Sequence, residues 1–74
     1  MYTFESPLGP RAITFEGADP FESLAAGPGT GDDLNIRVFI GGDSPWSFEL
    51  VLHSNDTVTK PAEADDITVT ITQL

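Results

Sequence analysis

Two alternating runs on either side of a glycine-rich turn constrain this chain more than any other feature. Leu34, Ile36, Val38 and Ile40 alternate with Asn35, Arg37 and Phe39. Gly41-Gly42-Asp43-Ser44-Pro45 follows, and then Trp46, Phe48, Leu50 and Leu52 alternate with Ser47, Glu49, Val51 and His53. A period of two places each apolar set on one side of a pleated strand. Two such runs joined by a turn rich in glycine predict a β-hairpin. Its inner face, four aliphatics against Trp46, Phe48, Leu50 and Leu52, is expected to supply most of the core.

The flanking segments follow the same rule. Tyr2 and Phe4 alternate with Thr3 and Glu5, and Ile13 and Phe15 alternate with Ala12, Thr14 and Glu16. Between them, Ser6-Pro7-Leu8-Gly9-Pro10 predicts a hairpin loop of about four or five residues. Thr57-Val58-Thr59 suggests a short strand stopped by Pro61, and residues 62–66 read as a polar connection. Ile67, Val69 and Ile71 alternate with Thr68, Thr70 and Thr72 in a final strand. Threonine suits the wet side of a strand because its β-branched side chain fits the pleat.

One stretch carries helix signals instead. Asp19 sits as an N-cap, Pro20 at the first helical position, Glu22 three residues after the cap, and Gly27-Pro28 at the end. Phe21, Leu24 and Ala25 share a helical face. A short helix is therefore expected over residues 20–26, followed by a flexible loop over 27–33. The expected fold is all-β, or a β-dominated α+β fold. It is a small antiparallel barrel or sandwich of five to six short strands with that one helix, forming a single domain over residues 1–74.

Composition limits the function. The chain has 74 residues, 12 acids against 3 cations, a net charge of −9, and no cysteine. That charge argues against direct binding to nucleic acid or to an anionic membrane. Without cysteine there is no disulfide or thiolate metal site. No run of about 18 apolar residues is present to span a bilayer. The N-terminus has no basic segment followed by an apolar core, so no signal peptide is expected. The chain reads as a short complete protein of the cytoplasm or a virion.

Motifs of catalysis and cofactor binding are weak. His53 is the only histidine, and a triad would need Ser54, Ser47 or Ser44 as nucleophile without a Gly-x-Ser-x-Gly elbow. Asp32-Asp33, Asp65-Asp66 and Asp43 lack calcium-loop spacing and suit turns. Residues 27–31 are glycine-rich, but two acids follow where a phosphate loop needs lysine. Asn55-Asp56-Thr57 matches the glycosylation pattern, without a secretion signal to give it meaning. No enzyme, metal or cofactor is expected.

What remains points to another protein as partner. Phe39 and Val51 fall on the outer side of the central hairpin, with Leu8, Val58 and Leu74 also outside the inner set. Several apolar residues on one outer face suggest a covered surface, with the other sheet of a sandwich as the first expectation and a partner or a second copy as the alternative. The final strand 67–74 is a candidate edge, and an edge can pair with another chain. The leading expectation is a non-enzymatic interaction or assembly module, for example a small structural or decoration subunit of a viral or phage particle. The alternative is an acidic nucleic-acid mimic that inhibits a nucleic-acid-binding protein by occupying its basic groove. Against that alternative, most acids lie in expected turns and caps, and only Glu5, Glu16 and Glu49 lie on strands. Phe39, Val51, Glu16 and Glu49 are the candidate partner-binding residues.

Overall fold

A computed structural model describes residues 2–17 and 20–74. It is all-β apart from one 3-10 turn. The strands are β1 (Tyr2–Ser6), β2 (Gly9–Glu16), β3 (Phe21–Pro28), β4 (Leu34–Ile40), β5 (Trp46–Leu52), β6 (Val58–Thr59) and β7 (Thr68–Gln73). The turn spans Ala62–Ala64. Two antiparallel sheets result: a three-stranded one ordered β1-β2-β7 and a four-stranded one ordered β3-β4-β5-β6.

The central hairpin forms as its alternation predicts. Leu34 faces Leu52, Ile36 faces Leu50 and Val38 faces Phe48 across the β4–β5 ladder. All six are buried and join Ile13 of the other sheet in one core, so the sheets share it. Trp46 departs from expectation. It is the first residue of β5, next to the turn, and stays 37% exposed while its ring leans on Phe48 at 5.3 Å.

The helix expected over 20–26 is not there, and an extra strand is. Phe21–Pro28 pairs antiparallel with β4, Leu24 facing Val38 and Ala26 facing Ile36. The expected N-cap, Asp19, lies outside the described residues. A local helix signal is worth on the order of 1 kcal/mol per cap. β4 is hydrophobic along its whole inner side, and a second ladder satisfies the backbone groups that β5 leaves free. Tertiary pairing therefore outweighs local propensity. Phe21 also ties the two sheets together, its ring lying 4.3 Å from Tyr2 and 4.9 Å from Phe15.

The first hairpin is tighter than predicted. Ser6 faces Gly9, so only Pro7 and Leu8 form the loop. Ser6 Oγ accepts from Leu8 N–H at 3.1 Å and donates to Gly9 O at 2.6 Å, and Gly9 takes φ 113°. Pro10 tolerates a strand position because its carbonyl accepts from Leu74 N–H on the β7 side. Its missing N–H would have pointed the same way, so the ladder with β1 loses nothing.

The segment 62–66, read as a polar connection, also carries core: Ala64 is buried in the cluster beside Ile67, and Val58, expected outside, packs on it. Leu8 and Leu74 are exposed, as their positions imply. Gly17 closes the same region: its φ is +88°, and a Cβ there would lie 2.7 Å from the Asp66 carbonyl oxygen. Gly17→Ala is therefore expected to cost about 2–3 kcal/mol from the left-handed backbone and the clash together. A thermal melt checks this, with the midpoint falling by roughly 8–20 °C.

Candidate functional site

Strand alternation turns a second face of the four-stranded sheet outward, and the other sheet, expected to cover it, packs on the opposite side through Ile13 instead. Ser23, Ala25 and Gly27 of β3 lie opposite Phe39, Arg37 and Asn35 of β4. Those in turn lie opposite Ser47, Glu49 and Val51 of β5, and Val51 faces Thr59 of β6. The neighbours of Phe39 on both sides are therefore serines. Small side chains leave its ring standing above the surface, 37% exposed. Val51 is half-buried between Asn35 and Thr59.

Arg37 and Glu49 sit between the two apolar residues, 3.7 Å apart, each side chain more than two-fifths exposed. A pair so open to water contributes little to stability. It does cancel the charge of Glu49 locally. Phe39 and Val51 lie about 13 Å apart along the strand direction, four residues at about 3.3 Å each. Glu16 is not on this face. It ends β2 opposite Thr68, on the outer side of the other sheet, among Thr14, Thr70 and Thr72. The four candidate residues thus divide into a group of three and one residue on the far layer.

His53 has partners the sequence did not predict. Its Nε2 lies 2.7 Å from Thr59 Oγ1, and its Nδ1 lies 3.4 Å from Asp33 Oδ2. Carboxylate, imidazole and hydroxyl stand in line, but the hydroxyl is Thr59 and not one of the serines considered. The neighbouring cavity is about 10 Å³, bordered by Asp32, Leu52 and Ser54, which is room for one water. The three groups fasten the 29–33 loop to the β5–β6 turn. Among the described residues, no three acidic or histidine side chains converge as a metal site would require. No helix there is long and apolar enough to cross a membrane.

One buried ion pair was also missed. Arg11 is 3% exposed, and its Nε donates to Asp56 Oδ1 at 2.9 Å. Its Nη1 donates to the carbonyls of Pro10 at 3.1 Å and Leu8 at 3.5 Å. The signal was present, because Arg11 is in phase with Ile13 and Phe15 on the inner side of β2. With few cations in the chain, an arginine in an apolar alternation marks a buried pair.

Comparison with protein-family models, with curated proteins and with solved structures finds no match to this chain.

Proposed function

We propose that this chain is a non-enzymatic binding module that docks onto another protein through the outer face of its four-stranded sheet. The observation that carries this reading is Phe39, a large aromatic side chain left 37% exposed on a central strand between two serines. An exposed aromatic on a small-residue surface suits insertion into a partner pocket, where such anchors dominate binding energy. Val51 extends the apolar contact and the Arg37–Glu49 pair gives it a polar divide. A small subunit that braces or decorates a larger particle, viral or phage, has this economy of parts. We read the two layers as a small sandwich, a form that leaves both outer faces free for such contacts.

The expected partner offers an apolar pocket with a basic rim, since the chain carries −9. The nucleic-acid mimic is the competing reading. It needs acids in rows along one face, whereas Glu16 and Glu49 lie on separate layers and Glu49 is paired with Arg37.

Affinity capture from the native source at low and high salt tests both. Phe39→Ser is expected to lower capture of the main partner by about tenfold or more while costing only about 1 kcal/mol of stability, so that the variant stays folded. Capture of a structural protein should persist at high salt. Release of a nucleic-acid-binding enzyme by salt, with weakening by Glu16→Lys and no effect of Phe39→Ser, would establish the mimic instead.

A further inference from the structure

Strand β7 ends the three-stranded sheet, with β2 on one side and, among the described residues, no strand hydrogen-bonded on the other. The ladder fixes which backbone groups are free. Leu74 N–H donates to Pro10 on the β2 side, so Thr68, Thr70 and Thr72 also turn their N–H and C=O groups toward β2. Val69, Ile71 and Gln73 then turn theirs to the open side. The Ile67 carbonyl points the same way and accepts a hydrogen bond from Lys60 Nζ. That lysine guards the beginning of the edge, and nothing comparable guards the rest.

Three further observations concern this edge. A cleft of about 380 Å³ runs along it, bordered by Thr68, Val69 and Ile71 on one side and by residues 56–58 and Lys60 on the other, with Asp56 among them. The neighbouring strand β6 is only two residues long, so it covers little of it. Residues 67–74 contain no ionisable side chain, in a chain with 15 charged ones among its Lys, Arg, Asp and Glu. Charged side chains are the usual protection of an edge, and alternating β-branched residues without charge, proline or glycine favour added strands.

We propose that β7 pairs antiparallel with β7 of a second copy, with Thr70 facing Thr70 across a two-fold axis. In this register Val69 of one copy exchanges both backbone hydrogen bonds with Ile71 of the other, and the axis repeats the pair. Those are the residues whose groups point outward. Thr68 faces Thr72 on the outer side, a favourable cross-strand pairing, and Val69 and Ile71 meet on the inner side. No charge opposes a charge. A foreign basic strand, which the overall −9 would attract, finds no acid on β7 itself, and Asp56 beside the cleft is already paired with Arg11. The contact closes on itself and gives a six-stranded sheet that does not propagate. It is independent of the face around Phe39.

Because each copy carries −9, the dimer is expected to strengthen as salt rises, by screening of the mutual repulsion. Sedimentation of the wild-type chain from micromolar to millimolar concentration should show a monomer–dimer equilibrium with that salt dependence. Thr70→Lys and Thr70→Glu should each raise the dissociation constant about fivefold or more, since like charges meet on the axis. An equimolar mixture of the two variants should recover dimers, with heterodimers dominant by native mass spectrometry. Hydrogen exchange on the wild type needs no variant: Val69 and Ile71 amides should gain protection with concentration. A chain that stays monomeric throughout, a dimer indifferent to residue 70, or one abolished by Phe39→Ser would each overturn the proposal.

Discussion

Phe48→Ala is expected to leave the chain largely unfolded at modestly elevated temperature. Phe48 is 1% exposed, pairs with Val38, and is among the largest fully buried side chains. Truncating a buried phenylalanine costs about 3–5 kcal/mol, because lost transfer energy is joined by an unfilled cavity. The total stability of a chain this small is on the order of 4–11 kcal/mol. One substitution therefore removes a large share of it. No disulfide compensates, since the sequence has no cysteine. The melting midpoint should fall by roughly 15–30 °C. Phe48→Leu, which keeps most of the volume, should cost about a third as much. Denaturant titration of both variants gives the comparison. A loss below about 1 kcal/mol for the alanine would mean that the core does not centre on this hairpin.

The second large effect concerns Arg11 and Asp56. Asp56→Asn is expected to destabilise the protein by about 2–3 kcal/mol. The figure sits at or below the bottom of the range for a sealed pair, because the Asp56 side chain remains 37% exposed while that of Arg11 is 4% exposed. Asparagine is the informative replacement. Asp56 has φ 66°, a left-handed conformation that asparagine also tolerates, so only the charge is changed. Most of the cost is the guanidinium left in the interior without a counterion. Replacing both partners should therefore do less harm than replacing one: Arg11→Met with Asp56→Asn should recover much of the loss. A double-mutant cycle measured by chemical denaturation decides this. Additive losses would mean that the pair is not coupled and that Arg11 is held by the Leu8 and Pro10 carbonyls.

The pair also explains how distant turns are held together. Asp56 lies in the β5–β6 turn, where its N–H donates to the His53 carbonyl at 2.9 Å. Arg11 belongs to β2, and its guanidinium reaches the turn of the first hairpin. His53, Thr59 and Asp33 add a second fastening nearby. One end of the molecule is thus secured by buried and part-buried polar contacts, while the face around Phe39 carries only the water-exposed Arg37–Glu49 pair and the edge of β7 only the Lys60 contact at its beginning. That division separates the regions that stabilise the fold from those proposed to meet other chains.

Much was legible in the chain before its fold. The period of two over 34–40 and 46–52 determined the central hairpin and which side is buried, because a one-residue slip would turn every aliphatic to water, while a two-residue slip keeps the same side and left the register to the folded turn. The same alternation placed Phe39 and Val51 outward and marked β7 as threonine on one side and aliphatic on the other. Tertiary structure alone decided three things. Residues 21–28 became a strand because β4 required a second partner, and the worth of that ladder is invisible to a capping pattern. Glu16 and Glu49 were separated onto different layers because strand order, which no single strand encodes, assigns β2 to one sheet and β5 to the other. The free side of β7 was decided by strand order as well, which pairs β6 with β5 in the other sheet and leaves β7 at the end of its own. A strand's own alternation carries no signal of this, because it is the same for an edge strand and a central one.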